Sequence, residues 1–525
     1  MSVYSNPYGD STRSFNSQPG ANHDVTKFVS PNWLDSQHTR WDNNFPRKMG
    51  GQELLLPGND NVIRSMYQLS IGNITRIFLF RDSGVSSIEL LENNTFTGEE
   101  NLTPAGWVTP GSNDSSYIFS IAQFNAFENI DGNIQTVPMI LFAAMPTSKN
   151  INNTTPAPIY KFEVGKDKTF VPYKAQLTST SPFLQQYTNG GVFVFDQKVC
   201  IYGSNGLIRY SDFNAPFIIG EDSFSTKGTE KFVAIKEYRL GIIVWTSTRL
   251  YTAVFDATTN RFIFSTASTG ISIISPNSIV DGRNSTYYWV GLKQFYMFNG
   301  ALNTFQNDFN RNFIFKRLTE DNPGAIWGMF IEDFTEMWWF FPVNGEKECS
   351  QLIIHNAEEN VWYKSIMNRS CGIPAGILKY PILSDNKKLF TVSQTTYPVW
   401  YHEKGVNLVV GNDSYPIEAW VQTKMIALFR DDPNSNFAIR LRRFEKNIDQ
   451  KGDMVIEIAK YNFPDSIPEI MEPFIFSENT TQLSLNVESS LITLKFTSNT
   501  IDGFFQFGHL LIDYDVGNPR PSGVE

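Results

Sequence analysis

The sequence predicts an all-β protein: a β-propeller of about six blades, preceded by an extended N-terminal arm and followed by a β-sandwich-like domain. Three observations predict it. Aromatic residues make up 14% of the chain, and such side chains fit the half-buried, pleated face of a strand. Charged residues are only 18%, so polar cover falls to Asn, Ser and Thr, which favour turns over helix interiors. Short apolar or alternating runs recur between Gly, Asn, Asp and Pro, while long amphipathic helical windows are nearly missing.

At 525 residues the chain exceeds one ordinary core, so two or three domains are expected. Residues 1–55 form the arm. It opens polar and turn-rich (SNPYGDSTRSFNSQPG), as a tail that orders against a partner would. The following SPNWLDSQHTRWDNNFPRKMGGQELL reads as an extended lead-in to the first strand. Residues 56–410 carry the propeller. GGVFVFDQKVCIYGSNGLIRYSD, KEYRLGIIVWTSTRLYTAVFD and NSTYYWVGLKQFYMFNG each read as an apolar strand, a tight turn, an aromatic-rich strand and a polar exit. Units recurring every ~40–50 residues over roughly 350 residues give about six to eight four-stranded blades, of which about six is the favoured number. The best helix lies at 309–318 (FNRNFIFKRL), with Arg311, Lys316 and Arg317 on it. Residues 411–525 alternate more cleanly, as in MVIEIA and LITLKF, and fit a sandwich with one solvated face. GNDS at 411–414 marks the boundary.

Composition narrows function. The formal charge is 43 − 53 = −10, which disfavours a tight grip on a phosphate backbone. Three cysteines (Cys200, Cys349, Cys371) form no CxxC pair, so neither a disulfide framework nor a cysteine zinc site is expected, and free thiols fit a reducing cytoplasm. No signal peptide or membrane-spanning run is expected. The five histidines lack metal-ligand spacing, and GxSxG, HExxH, P-loop and dinucleotide fingerprints do not occur. No cofactor and no enzymatic activity are expected. Glu99-Glu100, Glu358-Glu359 and Asp431-Asp432 read as solvated loop pairs; hydrolase work would need two carboxylates converging on one cleft.

Two features stay open at this level. Arg440, Arg442 and Arg443 in FAIRLRRFEKN read first as an ion-pair row and second as a phosphate contact. On a regular strand Arg440 and Arg442 share a face and Arg443 opposes them. The pairs Trp338-Trp339, Trp362-Tyr363 and Trp400-Tyr401 place aromatics on both faces of their sheets, as blade-on-blade packing requires.

The order of phrases resembles the nozzle, or tail-hub, family of short-tailed phages (podoviruses), the packaged-DNA stabilisation type. The lead-in carries this likeness through Arg40, Pro46, Lys48, Gly50 and Gly51. GLIRYSDFNAPF carries it through Arg209, Ser211, Asp212 and Pro216, and VAIKEYRLGIIVWTSTRLYTAVF through Trp245, Leu250 and Tyr251. Trp289, Phe295, Phe298 and Gly300 continue it, as do Trp338-Trp339 before FFP, NVWY at 360–363, RRFEKNIDQKGDMVIEI and FGHLLIDYDVGNPRP. The resemblance implies a virion tail protein assembled in the host cytoplasm, forming a hexameric ring under the portal and adaptor. It implies contacts with tail fibre or spike proteins, genomic DNA passing through the lumen without sequence-specific binding, and no membrane insertion. The other expectation is a receptor- or glycan-binding propeller on a virion or cell surface; a propeller hydrolase is the third.

Overall fold

The computed structural model describes residues 12–14, 17–27, 30–72, 74–91, 95–109, 116–130, 133–146, 157–177, 189–220, 223–319, 322–387, 396–427 and 437–519. Asp431-Asp432 and the first residues of the arm lie outside them.

Seven blades close into a ring. Six are four-stranded antiparallel sheets that follow one another along the chain, and the seventh is the inner part of a six-stranded sheet. The innermost strands are Ile63–Ile71, Tyr117–Ile130, Gly191–Phe195, Ala234–Tyr238, Val280–Asp281, Trp327–Ile331 and Arg369–Ile373. The sequence count of about six thus becomes seven. The seventh blade hides from a linear count because its fourth strand, Gln52–Leu56, comes from before the first blade and pairs with Val399–His402. Leu408–Val410 then adds in parallel to Gln52–Leu56 and Asp413–Tyr415 follows it, so GNDS at 411–414 sits on a blade extension.

Aromatic and branched residues fill each gap between blades, because strand alternation sends neighbouring side chains into neighbouring gaps. Trp245 and Trp289 meet edge-on at 5.6 Å between blades four and five. Trp339 faces blade five, while Trp338 faces blade seven. Ile63, Met66, Ile77 and Leu79 of blade one pack on Cys371, Ile382 and Val399 of blade seven, which closes the ring. Cys200, Cys349 and Cys371 are buried and unbonded. The expected helix is the single turn Arg311–Phe315, whose first amides Asn312 and Phe313 donate to Asp24 at 2.8 Å.

The C-terminal domain has three sheets, and the segment expected as an arm contributes to each. Thr12–Ser14 pairs with Leu511–Pro519, Asp35–Gln37 with Ala419–Gln422, and Phe45–Lys48 with Phe504–Phe507. The hairpin Thr39–Asp42/Phe45–Lys48 turns on Asn43 and Asn44, both in left-handed backbone (φ 53 and 67), the turn that matches strand twist. Thr12–Ser14, Asp35–Gln37 and Phe45–Lys48 of the lead-in are therefore strands of sheets completed by distant segments, and Thr39 Oγ1 donates to the Trp420 carbonyl (separation 381). Trp33, Trp41 and Met49 join the domain core to the gap between blades six and seven in one continuous cluster.

Candidate functional site

Among the described residues, polar side chains gather at a buried joint where the lead-in meets blades six and seven and around a cavity on the propeller axis.

The joint is built around Arg40. Strand alternation sends Trp41 into the core against Tyr363 and turns Arg40 the other way. Arg40 Nε and Nη2 donate to Glu336 at 3.0 and 3.2 Å, and Nη1 and Nη2 donate to Glu403 at 2.8 and 3.0 Å. Glu336 opens the strand Glu336–Phe341 in blade six, and Glu403 follows Val399–His402 in blade seven. Glu336 also accepts from the Tyr363 hydroxyl and from Trp338 Nε1. The Phe334 ring lies 3.3 Å from the guanidinium carbon. Burial alone would pull the Arg40 guanidinium down, but Glu336 and then Glu403 more than offset it and hold it above its usual value.

Glycine is required beside this cluster. Gly50 N donates to Glu403 at 3.0 Å, and a Cβ there would meet Glu403 Oε2 at 2.5 Å. Gly51 N donates to the Gly405 carbonyl at 2.8 Å, and its Cβ would meet the Asn407 carbonyl at 2.5 Å. Pro46 lies opposite Trp41 in the hairpin. His38 contacts the Gly50 carbonyl through Nε2 at 3.0 Å; burial lowers it to about 4, with Glu403 pulling the other way. Nearby, Arg369 donates to His402 Nε2 at 3.0 Å and Gln52 at 2.7 Å, and pairs with Asp385 at 3.3 Å. Burial holds His402 well below its ordinary value, so it is the neutral acceptor in that bond. Both Arg40-bound carboxylates are withdrawn from solvent, at 0% and 7% exposure, so this pair holds a joint and faces no substrate.

The axial cavity encloses about 330 Å³ and is lined by Tyr67, Ser120, Gln123, Lys236, Glu237 and Asn277 among others. The surrounding blades lower the Lys236 amine, opposed by Asp281; both side chains reach solvent, which screens the effect. Glu237 is the one carboxylate among the described lining residues, and Asp281 stands close enough to act on Lys236. Among the described residues no group of three His, Cys, Asp or Glu could hold a metal ion.

The other sequence-selected residues lie apart. Arg209 is half-buried opposite Phe224 at the rim of blade three, and Asp212 bridges to Ala215 in the turn beyond it. Trp245, Trp338 and Trp339 are core. Arg440 pairs with Glu488 at 2.6 Å, Arg442 with Asp515, and Arg443 with Asp513 and Glu445. Arg443 does not oppose the other two. A register shift between Leu441 and Arg443 adds a residue, so Leu441 and Phe444 face the core and all three arginines face outward. Sequence reasoning missed Glu336, Glu403 and His38; the two carboxylates carry no local signal because Arg40 lies 296 and 363 residues from them.

No family model matches the chain, and no curated protein matches it. Among solved structures it is similar to YCF48 bound to a D1 peptide (9% identity, 67% of this chain and 94% of that one, TM-score 0.36). It is also similar to the AfRom2 CNH domain (10% identity, 67% and 98%, TM-score 0.35). A third is an exo-β-1,3-galactanase from Phanerochaete chrysosporium with galactose (8% identity, 93% and 100%, TM-score 0.23). Likenesses at this level carry no activity across. The class is set by the molecule's own sheets: an all-β, propeller-type protein with a second β domain stitched to it.

Proposed function

We propose that the chain is a structural subunit of a short phage tail, forming the nozzle or hub ring that lines and closes the DNA exit channel until ejection. The observation that carries this reading is the joint. Lead-in, propeller and C-terminal domain share one core, and a buried ion cluster ties the lead-in to blades six and seven, so the chain is suited to bearing load as one body. The phrases that resemble the nozzle family fall on this joint at Arg40, Pro46, Gly50, Gly51, Trp338 and on the facing Trp339. The outward arginines support passage of DNA without capture, because their own sheet's carboxylates already hold them. The ring is a homo-hexamer, docked to portal or adaptor proteins on one side and to fibre or spike proteins on the other. Electron micrographs of the purified chain, alone and mixed with tail components, test this. Rings that join the tail support it; a stable monomer that never joins overturns it.

The axial cavity favours a second reading, a receptor- or glycan-binding propeller. Tyr67, Gln123, Lys236 and Glu237 offer the ring and hydrogen-bonding groups that sugars use. Glycan-array binding that disappears in Lys236→Met would establish it, and silence across the array would remove it.

A further inference from the structure

The two most exposed large apolar side chains among the described residues are Ile467 (95%) and Leu240 (88%). Each sits in a patch, and the patches have opposite charge.

The first patch lies on blade four. Leu240 occupies the tip of the hairpin joining Ala234–Tyr238 to Gly241–Trp245. Its neighbour Arg239 adopts left-handed backbone (φ 53), which for a bulky residue costs energy and presents the tip. Beside the tip, Gly241, Val254 and Ile263 stand opposite one another across three strands. Residues paired in this way share a sheet face. Gly241 has no side chain, and Val254 and Ile263 are 58% and 54% exposed, so an apolar strip runs from Leu240 to the blade's outer edge. Blade four overhangs its neighbour here: Arg249–Asp256 and Arg261–Thr269 have eight and nine residues, whereas Phe295–Phe298 and Leu302–Phe305 of blade five have four each. Arg239 and Arg261 flank the strip, both exposed; Arg261 stands opposite Asp256 across the two strands, so the basic character rests on Arg239.

The second patch lies on the C-terminal domain. Its sheet runs from Asp35–Gln37, which touches blade six through the Asp35–Lys364 pair, to Glu469–Ile470 and Phe474–Phe476. The patch is at this far edge. Phe463 (56%), Ile467, Ile470 (58%) and Ile475 (69%) are exposed there with Asp465, Glu469 and Glu472; Glu469 is paired with Lys460 at 2.8 Å, so Asp465 and Glu472 make the acidic rim. Pro464, Pro468 and Pro473 break the edge, which blocks simple strand addition and leaves the side chains as the recognition surface. Single exposed apolar residues are ordinary, but clusters rimmed by charge mark interfaces.

We propose that these patches bind each other between copies of this chain: the acidic-apolar edge of one docks on the basic-apolar strip of blade four in the next. The occupant is a second copy because the surfaces are complementary in sign and lie on different modules, one on blade four and one on the C-terminal domain. Contact between unlike patches is heterologous, which builds closed rings or open filaments and not two-fold dimers. The inference rests on the ring reading above and names the surfaces that would make the ring.

Sedimentation velocity on the full chain tests it, with melting curves confirming that each variant is folded. Leu240→Asp and Ile467→Asp should each weaken self-association by at least about tenfold. An equimolar mixture of the two should form a dimer, because each supplies the patch the other lacks. Arg239→Glu should weaken association, and Glu472→Arg on the same chain should restore part of it. Wild-type rings that persist in both Asp variants, or variants that dissociate yet never pair on mixing, overturn the contact while leaving the tail reading standing. A wild type that neither self-associates nor joins tail components overturns both.

Discussion

Arg40 is held by two carboxylates largely withdrawn from solvent, so its removal strands two buried charges. Breaking such a pair costs about 3–5 kcal/mol. Arg40→Met should therefore lose roughly that much stability in urea unfolding, and adding Glu336→Gln and Glu403→Gln should recover part of it. Arg40→Lys should not rescue, because a point charge cannot fill two bidentate sites. Buried histidines predict acid sensitivity. His38 in the joint and His355, which packs against Phe305 and Trp362 between blades five and six, are held at about 4, below the ordinary 6.5, by loss of solvation. Between those values the unfolded chain binds protons that the native chain refuses. Stability present above pH 6.5 is thus lost as pH falls toward 4, by up to about 1.4 kcal/mol per pH unit for each group. His38→Gln should flatten the fall in chemical-denaturation midpoints by about one proton's worth. Trp339 packs flat against Trp362 and bonds Ser278 through its indole, so Trp339→Ala should cost about 3–5 kcal/mol in the same measurement.

At the level of elements, closure depends on Gln52–Leu56. This strand has a neighbour on each side, Val399–His402 and Leu408–Val410. Proline in a two-sided strand removes a ladder donor and crowds its neighbours. Leu54→Pro should open the ring between blades seven and one, and limited proteolysis should then cut near residues 50–60 before the inner blades yield. Equal protease resistance in the variant would show that core packing between Ile63, Met66 and Cys371 closes the ring without the strand. The bulge at Leu441–Arg443 is likewise an element-level event, converting an expected inward arginine into an outward, paired one.

For the whole molecule, a net formal charge of −10 and arginines already paired within their own sheet predict weak affinity for nucleic acid. Binding of the assembled chain to duplex DNA should be weak and its salt slope shallow, reporting few phosphate contacts. Replacing Arg440, Arg442 and Arg443 together by Gln should leave that slope unchanged. A steep slope that those substitutions abolish would return the phosphate reading to the three arginines.

Strand class, turn chemistry and the aromatic packing of blades were legible in the sequence, because they depend on neighbours within a few residues. Alternation placed Trp338 and Trp339 on opposite faces of their sheet, whereas the hairpin at Asn43-Asn44 went unread within an expected extended lead-in. Blade number was not legible, since the closing strand is displaced to the far end of the propeller segment. The lead-in looked like a free arm because its strands are short and polar; only pairing with Ala419–Gln422, Phe504–Phe507 and Leu511–Pro519 makes it sheet. The joint was half visible: Arg40, Gly50 and Gly51 stood out, whereas Glu336 and Glu403 did not. Sequence by itself determined the local grammar of strands and turns, whose energies are set within a few residues. Tertiary structure decided ring closure, the stitching of the two ends and the charge pairing, because each depends on contacts whose loop-closure cost is met only when distant segments bury surface together.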